Sequence, residues 1–248
     1  NHPRKQEALH LLMQTLETLE QRSNSKMIAL RDFSMNDSLN HYFLGQGFVR
    51  IQMPNSCRIN LRADESIEAY VSRLSSRNRK HLRKDILAYE TSLEISILQT
   101  LNDPQLNQVH LLYNNVRLNN LGLNTFPYPI KLFKNMSDHP NWEFILIHHP
   151  EQPNKIIGVM FCYKNNAHTY VPSLVGIDYD YLKIYQTYRQ LLYQTLKRAI
   201  QLKFKTIDMG LTASFEKKKL GAVVEEKYAY IQTSDNYTLE LLGLLECN

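Results

Sequence analysis

The chain has 248 residues, 43% of them hydrophobic and 10% aromatic, which argues against global disorder and allows one large domain or two modest ones. Its net charge of +5 permits a phosphate-rich partner without demanding one. No apolar run reaches the length of a membrane span, and Cys57, Cys162 and Cys247 are too few and too scattered for a disulfide framework, so a reducing cytoplasm is the expected compartment.

Asn1 rather than Met opens the chain, as expected of a piece of a longer protein. Pro3 to Gln21 reads as a helix with Leu9, Leu12, Leu16 and Leu19 at helical spacing. Met27 to Phe33 reads as a strand. Asp37 to Leu44 reads as a helix capped by Asn36 or Asp37 and ended at Gly45 and Gly47. Phe48 to Met53 and Ser56 to Leu61 alternate like a strand pair around Pro54-Asn55. This helix-strand-helix-strand order returns near the other end of the chain. There Leu191-Leu-Tyr-Gln-Thr-Leu196 echoes Leu11-Leu-Met-Gln-Thr-Leu16, so residues 1–62 are expected to be a half-repeat.

Asp64 to Glu90 reads as one long helix. Ile67, Tyr70, Val71, Leu74, Leu82, Ile86 and Tyr89 share an apolar face, and Arg73, Arg77, Lys80 and Lys84 line the opposite one with Arg79 and Arg83 beside them. The plain reading is a solvated basic face. The sharper reading is a phosphate or RNA contact, favoured by the lack of acids from Arg73 to Lys84. Leu93 to Leu98 is an expected strand and Asn107 to Asn119 a helix, broken at Asn119-Asn-Leu-Gly122. A rigid aromatic turn, Phe126-Pro-Tyr-Pro129, leads to a short helix ending at Met136.

Trp142 to His148 and Lys155 to Tyr163 read as strands joined by a His149–Asn154 loop, and Ala167 to Ile177 as a third. Pro172 cannot donate to a ladder, so it belongs at a bulge or an unpaired edge, where free backbone groups would face a cleft. Tyr181 to Leu202 reads as a long helix whose exposed N-terminal amides suit an anion. Thr206 to Leu211 is an expected strand, Phe215 to Leu220 a basic helical turn, and Val223 to Thr233 a closing strand; the Leu-rich tail is expected to form a small helix.

Several of these stretches carry a resemblance. Ser75-Ser-Arg-Asn-Arg-Lys-His-Leu-Arg-Lys84, Gly176-Ile-Asp178 with Tyr181, Ile207-Asp-Met-Gly210 and Phe215 to Gly221 stand in the order found in GNAT-type acyltransferases of the FemAB-like branch, also called BioF2-like acetyltransferases. The resemblance implies an α/β fold with a mixed sheet. Its expected parts are a partial GNAT-like half at 1–62, a basic connector helix at 63–90 and a GNAT-like acyltransferase domain at 91–248. It also implies N-acyl transfer, with an acyl group drawn from acetyl-CoA or another acyl-CoA as co-substrate and passed to an amine acceptor. The alternatives are an aminoacyl-tRNA donor, with tRNA against the basic helix, and a non-catalytic GNAT-like module that binds RNA or a partner enzyme through that helix and the partial half-domain.

One departure bears on the donor. The glycine-containing coenzyme A loop of GNAT enzymes is replaced here by Lys183-Ile-Tyr-Gln-Thr-Tyr188, and without glycine the backbone approaches a pyrophosphate less closely.

Acyl transfer to an amine needs a polarised carbonyl, a neutral amine and a route for its proton. Backbone N–H groups of Leu174, Val175 and Gly176 are candidates for the oxyanion and donor contacts. Tyr185, Gln186, Thr187, Tyr188 and Arg189 are candidates for the rest of the donor. Asp208 is a candidate base, or else the cap of the helix after it. Lys217 matches the family's turn lysine, which by resemblance supports developing negative charge; otherwise it is one of three solvated lysines. Tyr170 and Tyr185 are candidate proton donors to a leaving thiolate. Arg77, Arg117 and Tyr128 are expected around the acceptor. His148 and His149, adjacent on a strand, face opposite sides, so no metal site is expected.

Overall fold

The computed structural model describes residues 3–119, 126–211 and 213–233. The expected break at Asn120–Gly122 and the expected tail helix lie outside them. The chain divides into two compact units, Asn1–Asn55 with Glu225–Asn248, and Ser56–Val224. The stretch read as a connector helix therefore falls inside the larger unit, and the closing strand, β8 (Val223–Thr233), belongs to the smaller one from Glu225 onward.

In the smaller unit, α1 (Lys5–Ser23) is followed by β1 (Met27–Ser34) and α2 (Asn40–Gly45). β1 pairs antiparallel with β8, Met27 opposite Thr233. The core comprises Met13, Ile28, Phe43, Phe48 and Tyr230. The leucine stripe of α1 is only partly used. Leu9 and Leu16 pack with Met13, whereas Leu12 and Leu19 are exposed. α2 starts later than its sequence suggests and has no side-chain cap; Asp37 and Asn40 instead share the single O–H of Tyr230, at 3.1 and 3.0 Å. No turn forms at Pro54-Asn55; one strand, β2, runs from Val49 to Asn60.

The larger unit opens with α3 (Ile67–Ser72), α4 (Ser76–Leu82), a π-helical turn (Arg83–Leu87) and α5 (Ala88–Glu90). The expected single helix is broken because Ser75 leaves helical geometry to accept from the Asn78 N–H at 3.2 Å. Ser66 likewise caps α3, accepting from the Ala69 N–H. The apolar face survives both breaks, with Tyr70, Leu74, Leu82 and Ile86 all buried.

β3 (Glu94–Leu98), α6 (Asp103–Asn119), α7 (Ile130–Ser137), β4 (Trp142–His149), β5 (Gln152–Asn165) and β6 (Thr169–Ile177) follow. β4 and β5 meet in a tight turn with His149 opposite Gln152, so the long loop expected there is mostly strand. Then come α8 (Tyr179–Leu182), α9 (Thr187–Gln201), β7 (Thr206–Leu211) and α10 (Ser214–Lys219). α8 and α9 replace one expected helix; the chain breaks at Lys183–Gln186, with Gln186 left-handed at φ 52°.

The strand order here is β2-β7-β6-β5-β4-β3, antiparallel except for β6 with β7. Side chains alternate across this sheet. Phe144, Leu146, Val159 and Phe161 pack with α6 and α7 on one face. Ile145, Ile147, Ile157 and Cys162 pack on the other with α9 and the α3–α5 segment. Two glycines set the approach of the helices. A Cβ at Gly176 would stand 2.8 Å from the backbone N of Tyr113 in α6, and one at Gly158 would stand 2.5 Å from Thr187 Cγ2 in α9.

Candidate active site

β6 and β7 run parallel for one step only. Thr169 pairs with Thr206 and Tyr170 with Ile207; beyond that, β6 continues along β5 while β7 continues along β2, with Ser56 opposite Leu211. Pro172 lies just past the point of divergence, opposite Cys162, at a bulge between Phe161 and Cys162 that leaves Ser173 unpaired. This is where the physical argument from its missing N–H places a proline.

The wedge between the strands holds a cavity of about 160 Å³. Its walls are Pro172, Ser173, Leu174 and Val175 of β6, Met160 of β5, Met209, Gly210 and Leu211 of β7, Tyr188 and Leu192 of α9, and Lys217 of α10. Lys217 is 4% exposed. Its ε-nitrogen donates to the carbonyls of Leu211 at 2.7 Å and Gly210 at 3.4 Å. Gly210 has φ +66°, a left-handed turn that only glycine takes without strain, and that turn presents both carbonyls to the lysine.

Burial pushes the Lys217 amine below the ordinary lysine value, against the pull of Cys57 and Asp208 in the other direction. Cys57, wholly buried in β2, is pushed up by burial, with Lys217 and Lys218 opposing. The Tyr188 phenol is pushed up to about 12, first by burial and then by Glu216 and Cys57.

At the vertex of the wedge lies a second constellation, built on the buried Tyr170 and Glu143. Tyr170 donates to Glu143 Oε1 at 2.6 Å, and Arg198 of α9 grips both carboxylate oxygens at 2.9 Å. Burial alone would raise the Glu143 carboxyl, but the hydrogen bonds from Arg198 and Tyr170, with the Arg198 and Lys164 charges, hold it below the usual range.

The structure thus brings together Leu174, Val175, Tyr188 and Lys217 at the cavity. Gly176 is the next residue along, but its missing Cβ makes room for α6. Asp208 Oδ1 accepts from the Gly210 N–H at 3.0 Å, shaping the turn. Tyr170 serves the vertex, away from the cavity wall. Tyr185 stacks on Tyr181 and meets His149 edge-on. Thr187 is buried and donates to the Tyr181 carbonyl, Gln186 accepts from Arg189, and Arg189 is held by Glu216 through two contacts of 2.8 and 3.0 Å.

The acceptor candidates separate. Tyr128 stacks on Tyr113 in the α6 face of the sheet, and Arg117 lies on α6 with Asn114 as a partner. Arg77 is on α4, whose Leu82 packs into the opposite face. The basic stripe is also divided. Arg73 is tied to Glu65 and the Asn60 carbonyl, and Arg79 turns in to the Leu74 carbonyl. Arg77, Lys80, Arg83 and Lys84 stay exposed.

His148 engages Ser96 and the Pro153 carbonyl while His149 meets the tyrosines, and among the described residues no cluster could hold a metal. Sequence reasoning missed Cys57, Met160, Met209, Leu211 and Leu192, because only the long-range pairing of β2 with β7 and the closing of α9 gather them.

No family model and no curated protein matches this chain. Solved structures do. FemX is 13% identical, with 96% of this chain and 79% of that one covered at TM-score 0.66. L-PGS from Bacillus licheniformis is 12% identical, covering 93% and 75% at TM-score 0.63. A tandem GNAT protein from the clavulanic acid biosynthesis pathway is 9% identical, covering 94% and 72% at TM-score 0.54. The fold is GNAT-like. The cavity occupies the opening where β6 diverges from β7. Among the described residues, no helix is long and apolar enough to cross a membrane.

Proposed function

We propose that the chain is an N-acyltransferase that takes an acyl group from acyl-CoA and passes it to an amine. The observation that carries this reading is the cavity between diverging β6 and β7, floored by the buried Lys217. Such a gap leaves strand backbone beside an extended, amide-bearing donor.

In this reading the donor thioester lies along Leu174 and Val175. The acceptor amine attacks the carbonyl carbon, and Lys217 takes the proton that the amine must lose. Once protonated, Lys217 is a cation beside the oxyanion and the departing thiolate, which is the charge-supporting role that the FemAB-like resemblance implies. Tyr188, kept protonated by burial, is placed to give its proton to the thiolate and fills the role first sought in Tyr170 and Tyr185. The first amides of α9 lack intrahelical partners and suit the donor's phosphates.

A second reading, an aminoacyl-tRNA donor, is favoured by one combination of features. Lys183 to Tyr188 contains no glycine, and Arg77, Lys80, Arg83 and Lys84 form an exposed basic stripe. Calorimetry with coenzyme A, acetyl-CoA and tRNA separates the two. Saturable binding of acetyl-CoA, abolished in Leu174→Trp, is expected. Binding of tRNA alone, with steep salt dependence, would replace the first reading by the second. Binding of neither would sink both.

A further inference from the structure

The Lys217 amine that serves as base in the proposed transfer also borders the cavity directly. Its nitrogen makes two hydrogen bonds, to the Leu211 and Gly210 carbonyls. Neither acid in its surroundings hydrogen-bonds the Lys217 nitrogen, although the Asp208 charge acts on it. Glu216, on the same helix, is gripped by Arg189 and Lys219, and Asp208 accepts from the Gly210 N–H. The other titratable groups facing it are the Cys57 thiol from β2 and the Tyr188 phenol from α9, with Lys218 beside it on α10. Carbonyls hold the nitrogen on one side while it borders the cavity on the other, so that once deprotonated it presents its lone pair to whatever lies there.

We infer that Lys217 is a self-acylation site. Its amine attacks the carbonyl carbon of an acyl thioester lodged in the cavity. A C–N amide bond forms, the C–S bond breaks, and the amine's proton passes to the departing thiolate, which leaves as free thiol. The product is an uncharged amide whose acyl group occupies the cavity, so the modified chain is closed to a further donor. This rests on the acyl-donor reading of the cavity. The lowered affinity of the amine for protons helps, because an ordinary lysine is almost wholly protonated at neutral pH.

The test uses the unmodified chain at pH 7 with two donors, S-acetyl-N-acetylcysteamine and acetyl-CoA, read by peptide mass spectrometry against time. Lys217 is expected to acquire acetyl from the small thioester at least about tenfold faster than the exposed Lys131 and Lys218, as suits a desolvated amine. Labelling of Lys217 no faster than Lys131 overturns the inference. If the small thioester labels Lys217 and acetyl-CoA neither binds nor labels, self-acylation stands and coenzyme A falls as the donor. If acetyl-CoA binds by calorimetry while neither donor labels Lys217, the donor reading stands and self-acylation falls.

Discussion

Replacing Glu143 by glutamine tests whether the vertex of the strand wedge is held by charge. Glu143 is wholly buried and accepts from the Tyr170 hydroxyl and from two nitrogens of Arg198. The glutamine keeps one carbonyl oxygen, but its amide nitrogen then faces either an Arg198 N–H or the Tyr170 O–H, donor against donor. Removing one partner of a buried ion pair costs about 3–5 kcal/mol. Arg198 keeps a side chain 20% exposed and a hydrogen bond to Gln201 at 3.0 Å, which favours the lower end, about 3 kcal/mol.

Trp142, the chain's single tryptophan, adjoins Glu143 on β4, so its fluorescence reports this unit in a urea titration. For an m-value of about 2–3 kcal/mol/M, the midpoint should fall by roughly 1–1.5 M. The sign with pH follows from the lowered Glu143 carboxyl. The unfolded carboxylate binds a proton first as pH falls. The stability from the pair is therefore fully present above the ordinary glutamate range, and is lost as pH drops through the lower folded value. The gap between wild type and Glu143→Gln should thus be constant at neutral pH and close in acid. A midpoint shift under about 0.3 M at pH 7, roughly 1 kcal/mol, would refute the argument.

Gly158→Ala should push α9 off β5, since the new Cβ meets Thr187 Cγ2 at 2.5 Å; a loss of about 1–3 kcal/mol in urea unfolding and weaker acetyl-CoA binding are expected. Gly210→Ala meets no neighbour but is strained at φ +66°, so it should cost only about 1 kcal/mol while disturbing the carbonyls on Lys217, read as slower acetylation of that lysine. Changing Arg77, Lys80, Arg83 and Lys84 together to glutamine should leave acetyl-CoA binding intact in calorimetry. Any tRNA binding should weaken, with a salt slope shallower by about 0.7–0.9 for each phosphate that is no longer neutralised.

The parts of the site that a reader could find without coordinates were those governed by one residue's covalent chemistry. Pro172 announces a ladder that must be interrupted, and the strand diverges there. The Phe215–Gly221 turn, through its resemblance, pointed to Lys217 among three adjacent lysines, although local composition makes them equally solvated. The break at Ser75 was hidden for a physical reason. The capped turn keeps Tyr70, Leu74, Leu82 and Ile86 on one side, so periodicity passes straight through it. Arg73 and Arg79 looked like part of a ligand-facing stripe because a sequence shows charge but not the backbone carbonyls that absorb it. Cys57 had no local signal at all; only the β2–β7 pairing brings it beside Lys217.

The cavity also differs from a loop-built pocket in what holds it open. Past Tyr170, each arm of the wedge keeps one hydrogen-bonded partner, β5 for β6 and β2 for β7. Closing the gap would require one arm to abandon its ladder, which leaves buried backbone groups unpaired at about 1–3 kcal/mol each. The opening is therefore present before any donor arrives, and the Tyr170–Glu143–Arg198 network fixes where it starts. Lys217 is held from the same frame, through carbonyls that the left-handed Gly210 presents at the end of β7. A site whose walls are strand ladders can keep a desolvated amine poised without needing a ligand to order it, which is the condition both the proposed transfer and the self-acylation of Lys217 require.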